Sequence, residues 1–198
     1  MLSVIGLILL ILRANELGGI RHLVSFSVFG ASMILLYAAS TFYHASKDSA
    51  WRYRLNIVDH ASIYVLIAGT YTPFALVTLN GVVGWTIFGV VWGLALTGII
   101  LKLFFTGRYN TLSTRMYVVM GWIIVFAVKP LLNNLVLPGL LWLVAGGISY
   151  TLGAIIFSLD RLKFNHAIFH IFVLLGSFCH FISIYFYVLP AESVNILS

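Results

Sequence analysis

The sequence predicts an all-α fold: a polytopic integral membrane protein built as a bundle of seven transmembrane helices, with the N-terminus cytoplasmic and the C-terminus outside. Three observations lead there. Of the 198 residues, 62% are hydrophobic and only 8% charged, whereas a soluble domain carries roughly 25% charged residues. Mean hydropathy is +1.08, and seventeen Gly and fifteen Phe are spread along the whole length, so the apolar bias is not confined to one anchor. A spanning helix needs ~20 apolar residues. The chain therefore accommodates about six to eight spans as a single membrane domain, 1–198, with no room for a separate soluble unit.

Apolar runs set against charged or Gly/Pro/Asn breaks give the elements in order. The first, 1 to 13, resembles a signal-peptide core but lacks a basic start and a small-residue cleavage site, so it reads as a span. A dozen apolar residues is short for one: either the N-terminus is incomplete or the flanks extend the helix. The second covers 22 to 44. The third and fourth, 57 to 79 and 82 to 104, are divided only by Leu79, Asn80, Gly81 and Val82. The fifth and sixth, 115 to 132 and 136 to 158, are divided by Asn133, Asn134 and the Pro138 region. The seventh covers 166 to 189. Counting alone leaves six open. Gly69, Pro73 and Gly93, inside spans, read as points of close packing or local kinks.

Charge placement favours seven. Lys47, Arg52, Arg54, Lys102, Arg108, Arg115, Arg161 and Lys163 fall in the loops after spans two, four and six, while the other side holds Arg13, Arg21 and Lys129. The positive-inside rule then sets the stated orientation. It also accounts for the net charge of +6 without nucleic acid and without any special affinity for anionic lipid. The single cysteine, Cys179, excludes an internal disulfide and reads as a packing residue.

Ionisable groups inside a bilayer are expensive, so their positions carry the functional information. Glu16, Asp48, Asp160, Glu192 and His22 fall in loops or at span ends, where water solvates them. Six residues remain: His44, Asp59, His60, His166, His170 and His180. His44 ends span two, Asp59 and His60 begin span three, and His166 and His170 begin span seven, so all five lie toward the cytoplasmic side. Residues four apart share a helix face about 6 Å apart along the axis, so His166 and His170 can direct both rings at one ion. Ser40 and His44 have the same spacing. A third imidazole from another helix completes three nitrogens plus water, the open arrangement of a catalytic zinc.

Each histidine taken alone reads equally as a hydrogen-bonding group across the bundle. Three imidazoles and a carboxylate from three helices at one depth are harder to keep as a structural network, because every buried polar group needs a partner. Asp59 has two readings: a salt bridge to Arg52 or Arg54 at the surface, or the partner of a metal-activated water. Ala167 follows the first histidine of the pair, so the glutamate base of soluble metalloproteases is absent and Asp59 would supply that role. Ser40 hydrogen-bonds a ligand or imidazole, or else its own backbone. His60 lies about 100° round the helix from Asp59 and points elsewhere. His180 shares roughly the face of His166, about 15 Å deeper than His170.

Ser40-Thr41-Phe42-Tyr43-His44, Asp59 within Leu55-Asn56-Ile57-Val58-Asp59-His60, Gly69-Thr70-Tyr71-Thr72-Pro73 and Asn165-His166-Ala167-Ile168-Phe169-His170 together resemble the hemolysin III family. That family is the bacterial branch of the progestin and adipoQ receptors, and the similarity covers spans two to seven. The resemblance implies a seven-helix bundle with zinc held by His44, His166 and His170, and a water-mediated role for Asp59 and Ser40. It also implies a bacterial inner (plasma) membrane location. Through the wider superfamily that includes alkaline ceramidases, it further implies hydrolysis of a lipid amide or ester, contributing to membrane homeostasis.

Three functional readings follow. The first is a zinc-dependent intramembrane hydrolase-like protein, its lipid substrate entering laterally from the cytoplasmic leaflet. The second is a sensor or receptor in which zinc is structural and nothing turns over. A pore-forming hemolysin is the third, and it fits least, because no span carries a periodic polar stripe to line an aqueous path. The expected partners are membrane lipids, one of them a substrate or ligand; protein partners are not specified.

Overall fold

In a computed structural model the protein is described over residues 1–105, 110–159 and 162–189. Arg108, Asp160, Arg161 and Glu192 lie outside the described residues. Among those described the secondary structure is entirely helical: α1 (Leu2–Leu17), α2 (Ile20–Ala45), α3 (Ser49–Pro73), α4 (Gly81–Phe105), α5 (Asn110–Gly121), α6 (Val128–Asn134), α7 (Leu137–Phe157) and α8 (Asn165–Tyr187). A π-helical turn, Phe74–Leu79, prolongs α3, and a 3-10 turn, Ile123–Ala127, joins α5 to α6.

Six rods are long and apolar enough to cross a bilayer: Ile20–Ala45, Ser49–Leu79, Gly81–Phe104, Leu112–Asn134, Leu137–Phe157 and Asn165–Tyr187. This is a multi-pass membrane protein. The N-terminal α1 has 16 residues, about 24 Å of helix, below the ~30 Å hydrocarbon thickness. It packs on α2 and α8 and ends on Gly18, whose φ of 75° closes the helix through its N–H to the Ala14 carbonyl.

The best-buried rod is the most polar-looking one. In its most apolar stretch α3 with its π-turn is 83% buried, against 22–44% for the others, so the other helices surround it and expose their Leu, Ile, Val and Phe outward. That outward face is apolar because lipid covers it. Small residues let the central helices approach. A Cβ at Gly69 of α3 would strike Ser32 Oγ of α2, and Ser32 satisfies its own hydroxyl on the Phe29 carbonyl at 2.7 Å. Gly139, Gly146 and Gly153, one heptad apart on α7, press against Tyr187, His180 and Phe172 of α8, and Ser183 Oγ donates to the Gly139 carbonyl at 2.8 Å. Gly93 has no neighbour that a Cβ would meet, so the expected packing role there is not seen.

Two interruptions shape the centre. Pro73 has no N–H to give, and the ladder downstream loosens into the π-turn. That turn ends at Asn80, φ 48°, whose side chain accepts from Arg21 of α2 at 2.5 Å. In the fifth rod the break after Gly121 frees backbone groups inside apolar surroundings. Tyr71 of α3 answers them: its hydroxyl donates to the Gly121 carbonyl at 2.8 Å and accepts from Ile124 N–H at 3.0 Å.

Several boundaries move. The third rod begins at Ser49, not near 57, because Asp48 caps it by accepting from Trp51 N–H at 2.9 Å. Asp59 and His60 therefore lie nearly three turns inside α3. Lys102, expected in a loop, belongs to α4 and is buried at 4% exposure. His22, expected to be solvated, is buried at 6% between α2 and its neighbours, with Nε2 unpartnered among the described residues.

Candidate metal centre

Antiparallel neighbours bring the C-terminal end of α2, the first half of α3 and the N-terminal end of α8 to one end of the bundle. Ser40 and His44 occupy successive turns of α2, and His166 and His170 occupy the first turns of α8, so each helix presents its pair on one face. One ring nitrogen from each of His44, His166 and His170 lies within 4.8 Å of the other two. Ring centroids are 4.8 Å apart for His166 and His170, 5.0 Å for His44 and His166, and 5.4 Å for His44 and His170. His44 is exposed and the α8 pair half-buried, which leaves one open side.

Asp59 is 2% exposed. Its Oδ1 has no hydrogen-bond partner among the described residues, and its carboxyl lies against the Ser40 hydroxyl. Ser40 Oγ is also 3.3 Å from His170 Nε2, so this hydroxyl links the carboxylate to the imidazole group. The alternative salt bridge is not formed: Arg52 lies over the Tyr43 ring at 5.5 Å and Arg54 over Trp51 at 5.6 Å.

This arrangement fits a metal. Three histidine nitrogens converge from two helices, and a buried carboxylate oxygen has no partner among the described residues, where buried polar groups ordinarily have one. Three histidines with an open side are the donor set of a catalytic zinc.

His60 departs from expectation. Its ring is 6.3 Å from that of His166, and Nδ1 is fixed on the Asn56 carbonyl at 2.8 Å. The rotation about α3 that separates it from Asp59 is right, and the two side chains meet different helices: Asp59 lies against Ser40 of α2, His60 beside His166 of α8 and Phe157 of α7. Sequence reasoning also missed the supports. Tyr117 of α5 donates to the His60 carbonyl at 2.9 Å, Phe157 of α7 lies 5.5 Å from the His166 ring, and Tyr43 lies 4.8 Å from His44. Only Tyr43, inside the Ser40–His44 run, carried a signal. His180 sits ten residues beyond His170 on α8, away from the cluster, and is buried at 4% exposure.

Residues 1–181 match a family model described as Haemolysin-III related. The chain is 49% identical over 192 residues to Hemolysin-3 of Bacillus cereus, covering 97% of this chain and 88% of that one. It is 46% identical over 187 residues to the Hemolysin-3 homolog of Bacillus subtilis (strain 168), covering 94% and 88%. Monocyte to macrophage differentiation factor of Rattus norvegicus is 28% identical over 176 residues, covering 85% and 73%. No solved structure matches the chain.

Proposed function

The chain belongs to the haemolysin-III-related family, and from that premise we propose that it is a zinc-binding membrane protein hydrolysing a lipid amide or ester at its histidine cluster. The carrying observation is the convergence of His44, His166 and His170 nitrogens within 4.8 Å beside a buried carboxylate oxygen lacking a partner. Zinc held there would polarise a carbonyl and make water acidic enough to ionise near pH 7.

The protein's own groups do the rest. Asp59 orients the attacking water, takes its proton at Oδ1, which has no hydrogen-bond partner among the described residues, and passes it to the leaving nitrogen or oxygen as the C–N or C–O bond breaks. Ser40 holds the carboxyl and the His170 ring in register. Phe157 and Tyr43 shield two sides, so the open side at His44 admits a lipid carbonyl from the adjacent leaflet. The proposed setting is the inner membrane of a bacterium, with α1 as a seventh bundle helix, the N-terminus cytoplasmic, the C-terminus outside and the cluster toward the cytoplasmic leaflet.

The test is elemental. Purified protein is expected to carry about one zinc per chain, and the His166→Ala, His170→Ala double variant close to none. Release of acyl chains from fluorescent amide and ester lipids should vanish with the metal. A double variant that keeps full zinc occupancy overturns the assignment.

A further inference from the structure

At the end of the bundle that holds the histidines, α3 is longer than the hydrocarbon is thick. With its π-turn it has 31 residues, about 45 Å of helix against ~30 Å of bilayer core, and every residue from Ser49 to Arg54 is exposed. Trp51, Arg52, Tyr53 and Arg54 follow one another there, aromatic rings and cations of the kind found at headgroup level. Arg52 and Asp59 are seven residues apart, two turns, so they share one face of α3 about 10 Å apart along the axis. Asp59 meets Ser40 of α2. Arg52 reaches the same helix one turn further out, its guanidinium 5.5 Å over the Tyr43 ring.

Tyr43 ties that guanidinium to the histidine cluster. Its ring is 4.8 Å from the His44 ring and stacked 6.2 Å from His166, so Arg52 stands within about 10 Å of the exposed His44 ring, at the open side of the cluster. Seven residues carry Arg52 outward from Asp59 and four carry His44 outward from Ser40, which leaves the arginine about 4 Å nearer the membrane surface. Among the described residues it forms no ion pair, although Arg13 and Glu16 make one. Asp59 is buried against Ser40, and Asp48 accepts from Trp51 N–H in capping α3. The positive-inside rule explains why a cation lies on this side of the membrane. It does not explain why this one leans over the entrance, since Arg54, about 200° round the helix, lies over Trp51 instead.

We propose that Arg52 selects the lipid presented to the histidine cluster by its headgroup, and that the preferred lipid carries a net-negative phosphate, with its acyl carbonyl turned toward the histidines. That this lipid is a substrate rests on the hydrolytic reading above; the headgroup site itself needs only the geometry. A guanidinium offers a planar fork of donors matched to phosphate oxygens, and one seated face-on over an aromatic ring keeps its N–H edges free for them. In a phospholipid the phosphate lies outward of the acyl carbonyl with a glycerol unit between, the same order in which Arg52 and His44 stand. A choline headgroup brings its own cation beside Arg52, which sets a zwitterionic lipid at a disadvantage.

Phosphatidylglycerol and phosphatidylcholine bearing the same fluorescent acyl chain test this on purified full-length protein in detergent. Lipid retained per chain is counted in the Asp59→Asn background, where turnover is expected to be lost and the metal kept. Phosphatidylglycerol is expected to be held about fivefold more tightly, the usual effect of one arginine beside an anionic lipid, and the preference should shrink as salt rises. Arg52→Gln should abolish it. Arg54→Gln, which loses the same charge from the opposite face of α3, should keep it. In wild-type turnover the same selection should appear in KM and not in kcat. Equal retention of the two lipids, an equal loss in Arg54→Gln, or displacement by inorganic phosphate at the lipid's own concentration, the mark of a site for a free anion, would each overturn the proposal. Wild-type protein that turns over neither lipid yet prefers phosphatidylglycerol through Arg52 would sink the hydrolytic reading alone and uphold the headgroup site.

Discussion

A carboxyl group at 2% exposure with one oxygen unpartnered costs stability unless something meets it. Asp59 therefore has a two-sided prediction. Asp59→Asn removes the charge and keeps the shape, so the melting midpoint should be at least as high as in the wild type and the zinc content unchanged. Hydrolysis of the fluorescent lipids should fall about 10²–10⁴-fold, the usual worth of a positioned proton acceptor. Retained turnover with retained metal would assign Asp59 a structural part and remove it from the proposed proton transfer. The candidate site was largely legible in single residues because four-residue spacing forces His166 and His170, or Ser40 and His44, onto one face whatever surrounds them. His60, His22 and Lys102 were not legible. Their burial is decided by which helix lies opposite, and one-dimensional spacing contains no term for that.

At the scale of the helix, Tyr71 is the clearest case of one rod sustaining another. Its hydroxyl closes both backbone groups opened by the break between α5 and α6, at a depth where water is scarce. Tyr71→Phe leaves a carbonyl and an N–H to find new partners and should cost about 1–3 kcal/mol, read as a lowered thermal midpoint in detergent with the zinc content unaltered. A variant as stable as the wild type would mean that the 3-10 turn satisfies itself. The break was invisible beforehand because Ile123–Ala127 is as apolar as its flanks, so hydropathy runs through it unmarked. The start of α3 was misplaced for the opposite reason: polar residues near Asp48 read as loop, although an aspartate accepting from Trp51 N–H is a helix start signal.

For the molecule as a whole, composition was decisive and arrangement was not. An apolar fraction of 62% requires buried backbone hydrogen bonds throughout, which only helices or a closed barrel provide, so an all-helical bundle was legible. That α3, the rod holding Asp59, would be the one enclosed by the rest was not, since pairing depends on small-residue faces such as Gly69 against Ser32 and Gly139, Gly146 and Gly153 against α8. Orientation is open to measurement. Alkaline phosphatase fused after residue 47 is expected to be inactive and after residue 80 active, because the basic residues around Lys47, Arg52 and Arg54 should stay cytoplasmic. The reverse pattern would put the histidine cluster on the outer side. The cluster also joins chain segments made far apart in time: Ser40 and His170 are 130 residues from each other. During synthesis His44 enters the bilayer without companions, and it gains them only once α8 has threaded into place. Capture of an ion there would act as a late clasp, so a nascent chain halted before residue 165 should be insensitive to chelators, while the full chain should resist extraction and proteolysis only with its ion aboard.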